Sequence, residues 1–330
     1  MAILITGGAG YIGSHTLRCF LENHEEVVVV DNLQSGYRQA AEGAVFYKAD
    51  IRDKAALDRV FKENKIEAVI HFAANSLVGE SMEKPYEYYH NNVYGMLCLL
   101  EAMRENRVDK IVFSSTAAVY GEPKNVPILE SDETTPTNTY GDTKLAMEKM
   151  MKWFDNAYGI SYVSLRYFNA AGAHQSGNIG EAHNPETHLV PLILQVPLGK
   201  RAQIAVFGED YPTEDGTCVR DYIHVSDLAS AHYLALKHLR GGGSSEIFNL
   251  GNGSGYSVKE VIEAARKVTG HPIPAETKAR RAGDPAVLIA SSQKAKNILG
   301  WQPQHASLER IIEDAWKWHS QNPEGFKSGV

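Results

Sequence analysis

The stretch that most narrows the fold is the run Ala2-Ile3-Leu4-Ile5-Thr6 and the glycines that follow it, Gly7-Gly8-Ala9-Gly10-Tyr11-Ile12-Gly13. An apolar run of strand length leads into the glycines, and a helical stretch is expected from Ser14 to Asn23. The glycines satisfy both Gly-x-Gly-x-x-Gly (8, 10, 13) and Gly-x-x-Gly-x-x-Gly (7, 10, 13). Without β-carbons the turn closes tightly, and backbone N–H groups and the helix N-terminus can approach a pyrophosphate. A glycine-rich turn can also bind nothing; the strand before it and the helix after it favour the phosphate cradle.

The pattern then alternates. Glu26 to Val30 reads as a second strand ending in Asp31, about 20 residues past the glycines, where an acid can accept from adenosine ribose hydroxyls. A carboxylate there repels a 2′-phosphate and favours NAD over NADP, although Arg38 lies close by. Ala44 to Lys48 is a third strand, with Asp50 and Ile51 at its exit beside an expected adenine edge, and Asp53 caps a helix through Phe61. Glu67 to Phe72 is a fourth strand, and the small residues Ala73 and Ala74 after it either admit a cofactor or pack tightly. A long helix is expected over about Pro85 to Asn106, carrying Asn91 and Asn92. Lys110 to Ser115 is a fifth strand, delivering Ser114-Ser115-Thr116, and Tyr162 to Phe168 is a sixth, ending at Asn169.

This alternation predicts an α/β fold, a Rossmann-type doubly wound parallel sheet over residues 1–169, with a smaller C-terminal substrate domain over 170–330. Segments near 217–250 are candidates to return to the first domain. In the second half, Gln203 to Phe207 reads as a strand, and Val225 to Leu239, Ser257 to Val268 and Ser307 to Ser320 read as helices. Trp316 and Trp318 are expected in the core.

Tyr140 and Lys144 sit four residues apart at the start of another helical segment, so their side chains share a face. An ammonium beside a phenol is expected to lower the phenol toward neutrality and make it a usable base. Alone, the same spacing equally describes a tyrosine ring packed on a lysine stem.

Composition excludes several classes. The 330 residues are 43% hydrophobic and 22% charged, with a formal net charge of -7 and no long basic run, which disfavours a nucleic-acid partner. Cys19, Cys98 and Cys218 lie far apart without zinc spacing, so reduced thiols, a cytoplasmic location and no metal site are expected. No leader peptide is read at the N-terminus. The most lipid-like stretch, His188 to Leu198, is far shorter than the roughly 20 residues of a spanning helix, so no membrane partner is expected.

Beyond these readings, the chain resembles the extended short-chain dehydrogenase/reductase family, in particular its sugar-nucleotide epimerases, over nearly its whole length. The residues that carry the resemblance are the glycine turn through His15, Asp31-Asn32-Leu33, His71-Phe72-Ala73-Ala74, Ser114 to Gly121, Tyr140 with Lys144, and Arg166-Tyr167-Phe168-Asn169. Phe207 to Thr217, Val219 to Val225, Asn249-Leu250-Gly251 and Arg280-Arg281-Ala282-Gly283-Asp284 carry it in the second half. The resemblance implies a tightly bound NAD, held by Gly7, Gly10, Tyr11, Ile12, Gly13, Asp31, Asn32, Ser35, Asp50, Ile51, Phe72, Ala73, Ala74, Asn91, Ser114, Tyr140, Lys144 and Phe168. It implies a UDP-sugar substrate contacted by Thr116, Tyr140, Asn169, His188, Leu189, Phe207, Arg220, Arg281, Asp284 and Val287. Tyr140, Lys144 and Thr116 would carry the catalysis: oxidation at sugar carbon 4, rotation of the 4-keto sugar and return of hydride to its other face, interconverting UDP-glucose and UDP-galactose. A homodimer is implied as well.

Three positions depart from the family's pattern. Ser76 stands where a lysine is frequent, His188 where an asparagine is expected, and Val287 where an aromatic or a small residue occurs; small Val287 would admit an N-acetylated hexose. Two other functions share the fold. A sugar-nucleotide dehydratase or decarboxylase would need an Asp-Glu pair after the threonine, where this chain has Ala117-Ala118; a non-catalytic NAD sensor typically lacks the tyrosine or the lysine, and both are here.

Overall fold

The computed structural model describes residues 1–281 and 284–326, so Ala282 and Gly283 of the second-half motif lie outside the described residues. The first half runs β1 (Ala2–Thr6), α1 (Tyr11–Glu22), β2 (Val27–Asp31), β3 (Val45–Lys48), α2 (Lys54–Glu63), β4 (Ile66–His71), α3 (Val78–Glu83), α4 (Pro85–Tyr88), α5 (Gly95–Glu105), β5 (Lys110–Ser114), α6 (Thr139–Tyr158) and β6 (Ser161–Tyr167). The second runs β7 (Asn169–Ala171), α7 (Leu189–Leu194), β8 (Ile204–Phe207), β9 (Val219–Arg220), β10 (Tyr222–His224), α8 (Val225–Arg240) and β11 (Glu246–Leu250). It continues with β12 (Tyr256–Ser257), α9 (Val258–Thr269), β13 (Ala275–Lys278), β14 (Val287–Leu288), α10 (Gln293–Leu299) and α11 (Leu308–Gln321).

Seven parallel strands form the central sheet in the order β11-β6-β5-β4-β1-β2-β3. Both faces are covered, which explains the unbroken apolar runs in its strands. Ile3 and Ile5 of β1 face one core with Leu17, Phe20, Leu228 and Leu236 of α1 and α8. Leu4 faces the other, with Leu57, Leu99, Met103, Met147 and Met151 of α2, α5 and α6. The winding direction reverses between β1 and β4, and a crevice opens at that point outside the strands' carboxyl ends.

Some local expectations change. The first helix begins at Tyr11 rather than Ser14, because Gly10 already occupies the N-cap. The stretch 85–106 is not one helix: α4 gives way to a π-helical turn over Tyr89–Tyr94 before α5 begins. That wider turn rephases the face and buries Asn91 and Asn92. Helix α3 was not expected from the sequence. Asp53 caps α2 as expected, accepting from the Ala56 N–H at 3.0 Å.

After β6 the chain leaves the sheet, and then α8 and β11 return to it, β11 pairing with β6 at the sheet's edge. Helix α10 returns with them, its Ala295 and Leu299 packing in the core under α8, and the other segments build a second lobe from three small sheets: β10-β7, β12-β9-β14 and β13-β8. Its core joins Val190, Ile193 and Leu194 of α7 to Val261 and Ile262 of α9 and to Ile311 and Ile312 of α11. Trp316 packs against this core, and Trp318 is buried with its indole N–H donating to the Glu181 carbonyl at 2.9 Å. Among the described residues no helix is long and apolar enough to cross a membrane.

Candidate active site

The cleft at the winding reversal has a volume of about 350 Å³ and is walled by both lobes. Its floor is the glycine turn. Gly7 takes φ +74°, and a β-carbon there would stand 2.6 Å from the Ala73 nitrogen; one on Gly13 would stand 2.1 Å from the Gly7 oxygen. Gly10 differs, since a β-carbon on it would meet only the Gly7 oxygen, at 3.4 Å, and this residue lines the cleft. Gly7 and Gly13 are thus required by protein packing, whereas the bare face of Gly10 is left for a ligand.

Asp31 ends β2 at the cleft wall, its oxygens accepting from the Ala9 N–H at 3.0 Å and the Leu33 N–H at 2.8 Å. Burial raises its pKa, opposed by these two amides. Each oxygen keeps a lone pair for a further donor such as a ribose hydroxyl. A nucleotide of the NAD type therefore fits the groups present: amides and an open glycine for phosphate, a carboxylate for ribose, and small Ala73 and Ala74 beyond.

On the opposite wall, Asn138 caps α6 by accepting from the Gly141 N–H at 2.8 Å, which starts the helix where Tyr140 and Lys144 face inward. The Lys144 ammonium donates to the Ser114 carbonyl at 2.8 Å and lies 5.8 Å from the centre of the Tyr140 ring. Burial pushes Lys144 down to about 7, against an upward pull from Glu148. Burial pushes Tyr140 up to about 12, against a hydrogen bond with Thr116. The expected lowering of the phenol by the neighbouring ammonium is thus not what the structure shows. Loss of water around the phenolate outweighs a cation aimed at Ser114.

One turn further along α6, Glu148 accepts from Arg166 on β6 at 3.0 and 2.5 Å and from the Ser115 hydroxyl at 2.6 Å. Arg166 also donates to the Tyr120 hydroxyl at 2.9 Å, which in turn donates to Asn249 of β11 at 2.7 Å. This buried network fixes α6 against the strand ends. Glu148 was missed in the sequence, although its place four residues after Lys144 was a usable signal. Asn92, turned inward by the π-helical turn, accepts from the Asn75 N–H at 2.8 Å and donates to Thr143 at 3.1 Å, fixing the loop that carries Ser76.

The structure brings most of the expected site residues into this one cleft: Gly7, Gly10, Tyr11, Ile12, Gly13, Asp31, Asn32, Ser35, Ile51, Phe72, Ala73, Ala74, Asn91, Ser114, Thr116, Tyr140, Lys144, Phe168, Asn169, His188 and Leu189 all line it. Asp50 is not among its lining residues. Its carboxylate is engaged by Arg52 at 2.6 and 2.8 Å and by Asn32 at 3.2 Å, and the Arg52 hydrogen bond holds its pKa well below the usual range.

Five other expected contacts lie outside the cleft, in the second lobe. Arg220 pairs with Asp284 at 2.9 Å, and the Arg281 guanidinium covers the Phe207 ring at 4.1 Å. Val287 pairs with Val219 in a short parallel ladder. Successive strand residues point to opposite sides, and it is Leu288 that packs on the cluster of Ala117, Val119, Tyr120 and Leu145 beside Thr116. Among lining residues to which the sequence assigned no role in the site are Tyr167, His183 and Tyr222.

Residues 3–251 match the family described as the NAD dependent epimerase/dehydratase family. The chain belongs to this family. As a member of the NAD dependent epimerase/dehydratase family it is 62% identical over 328 residues to a UDP-glucose 4-epimerase of Halalkalibacterium halodurans, covering 99% of this chain and 98% of that one. A crystal structure of a UDP-glucose 4-epimerase superposes with a TM-score of 0.98 at 60% identity, over 99% of this chain and 100% of the other. A Bifidobacterium longum UDP-glucose 4-epimerase in complex with NAD+ and UDP superposes with a TM-score of 0.94 at 42% identity, over 99% and 100%.

The depressed lysine gives a signed prediction for this epimerase/dehydratase. Between about pH 7 and about pH 10 the unfolded chain holds a proton on Lys144 that the ligand-free folded chain has lost, so stability rises with pH across that window. Below it both states are protonated and the cost of burying the ammonium is complete. Lys144→Met should therefore gain stability over the wild type most near pH 6, and the gain should shrink toward pH 9, as followed by urea unfolding of ligand-free protein. A difference that does not change with pH would contradict a lysine titrating near neutrality.

Proposed function

We propose that the chain interconverts UDP-glucose and UDP-galactose, Tyr140 acting as the base and acid at sugar carbon 4. The observation that carries this reading is the convergence of Tyr140, Lys144 and Thr116 on one cleft, with Ala117 and Ala118 after the threonine and so no acid–base pair there to eliminate water. Bound NAD supplies the acceptor and donor of the C4 hydride. Tyr140 takes the 4-hydroxyl proton as the C–H bond breaks and gives it back after the sugar has turned. Thr116, hydrogen-bonded to Tyr140, stands beside the phenol where it can also hold that hydroxyl.

The phenol's high resting pKa assigns a further task to the loaded site. A positive charge added to the cleft stabilises the phenolate and works against its burial, so base strength is coupled to what occupies the cleft. Lys144, held by the Ser114 carbonyl, orients both partners. The nucleotide end of the substrate is assigned to Asn169, His188 and Leu189 at the cleft, with Phe207, Arg220, Arg281 and Asp284 further out in the second lobe. On this division, residues 170–330 other than α8, β11 and the α10–Trp301 segment, which pack on the first lobe, make the substrate domain.

Incubated with UDP-galactose and no added cofactor, the purified protein should form UDP-glucose without net reduced cofactor. A 4-keto product or carbon dioxide would move the assignment to a dehydratase or decarboxylase. Tyr140→Phe should slow turnover by roughly 10²-fold or more while leaving the cofactor bound. A near-wild-type rate would remove Tyr140 from its role.

Tolerance of an N-acetyl group at sugar carbon 2 is assigned to Leu288 in place of Val287, because Leu288 packs on the cluster of Ala117, Val119, Tyr120 and Leu145 that follows Thr116 in the chain. Leu288→Tyr should abolish turnover of UDP-N-acetylglucosamine while sparing UDP-glucose, and Val287→Tyr should not discriminate. The opposite pattern would return the role to Val287.

A homodimer is the remaining part of the proposal. Tyr86, His90 and Tyr94 stack as a ladder with ring centres 5.6 and 5.3 Å apart. Beside them Leu97 is exposed, and Trp153 of the neighbouring α6 is 69% exposed. Apolar groups collected on adjacent helices in this way suit burial against a second copy. Trp153→Glu should halve the mass measured by light scattering. A wild-type monomer would refute the dimer.

A further inference from the structure

The loop 181–188 reaches the cleft through His183 and His188, and it carries four metal-type donors, of which the assigned chemistry uses only His188. Glu181, His183, Glu186 and His188 each offer one ligand atom, and these atoms all lie within 4.8 Å of one another. A single oxygen of Glu181 is the hub: the Nδ1 of His183 is 2.9 Å from it, and the Nδ1 of His188 forms a short hydrogen bond to the same atom. Glu186 approaches His183 at 3.9 Å. The Glu181 side chain is only 3% exposed, so a carboxylate with its water removed stands among two imidazoles and a second carboxylate. Its place is fixed from behind, where the Glu181 carbonyl accepts from the Trp318 indole.

We propose that these four residues bind one divalent transition-metal ion of the zinc type. Two imidazole nitrogens and two carboxylate oxygens are a borderline donor set, suited to zinc, cobalt or nickel and poor for magnesium or calcium, which prefer oxygen alone. Donors around a four-coordinate zinc stand roughly 3.4 Å apart, so the observed spacing needs only small side-chain adjustments. An ion there ties both ends of the 181–188 loop together. It also places positive charge on a wall where His183 and His188 already face the cavity. The absence of paired cysteines had pointed away from any metal; the Glu-x-His-x-x-Glu-x-His run meets the requirement with other donors. The proposal concerns binding alone and stands whether or not the epimerase reading holds.

The test uses the full chain with its bound cofactor, equilibrated with zinc chloride and then dialysed against metal-free buffer. Mass spectrometry should find about one zinc per chain, and cobalt in its place should give the visible absorption of a four-coordinate ion. His183→Ala, at a partly exposed position, and Glu181→Gln should each weaken retention roughly 10-fold or more and abolish the cobalt spectrum. Added zinc should raise the melting temperature of the wild type and not of His183→Ala. Zinc at background level in the wild type would overturn the proposal, and so would undiminished zinc in a folded His183→Ala protein.

Discussion

Much of this molecule hangs on one helix face that is polar and yet buried. Tyr140, Lys144 and Glu148 follow one another at four-residue steps along α6, and all three point into the sheet's carboxyl end. Such a face is costly unless each group is held. Glu148 is met by Arg166 and Ser115, Lys144 by the Ser114 carbonyl, and Tyr140 by Thr116. The first of these bonds makes the others possible. Removing one partner of a buried pair typically costs about 3–5 kcal/mol, so the Glu148–Arg166 contact is a strong tie between α6 and β6. Because Arg166 sits on β6 and reaches Tyr120 and Asn249, the same network joins the helix to β11, the strand that closes the sheet after the chain's excursion.

The two walls of the cleft have different characters. On the glycine side, backbone geometry dominates: Gly7 and Gly13 are compelled by close backbone approach, and only Gly10 is free toward the cavity. On the α6 side, electrostatics dominates. A phenol pushed up to about 12 and an ammonium pushed down to about 7 are both displaced toward their neutral forms. The site at rest therefore resists charge, and a charged occupant shifts both groups together. That coupling suits a reaction in which a proton leaves the 4-hydroxyl oxygen as a hydride leaves carbon 4, and both later return.

How much of this was legible beforehand depended on the range of the interaction. The glycine turn, Asp31 and the Tyr140–Lys144 pair are local patterns, and each takes its expected place at the cleft. The π-helical turn at Tyr89–Tyr94 was hidden because its residues are compatible with an ordinary helix, while the bonds of Asn92 to Asn75 and Thr143 that accompany the wider turn are remote in sequence. The high pKa of Tyr140 in the ligand-free cleft was hidden for a related reason: sequence spacing reveals a charged neighbour but not the loss of water around the phenol. The proposed exchange of Val287 for Leu288 turns on a single residue, which on a strand exchanges the two sides. Arg220 is buried and pairs with Asp284, a partner remote in sequence that no local spacing reveals. Among the donors of the 181–188 loop only His188 was singled out, because the others resemble an ordinary polar loop until the fold gathers them.

The central claim is that the hydrogen removed from sugar carbon 4 stays inside the cleft and returns to the same molecule. Its most direct test is a crossover experiment with UDP-galactose deuterated at carbon 4 and carrying a heavy-isotope uridine, mixed with unlabelled UDP-galactose. The account predicts UDP-glucose in which deuterium and heavy uridine remain together, with none lost to water. Deuterium scrambled onto light uridine, or exchanged into solvent, would contradict it.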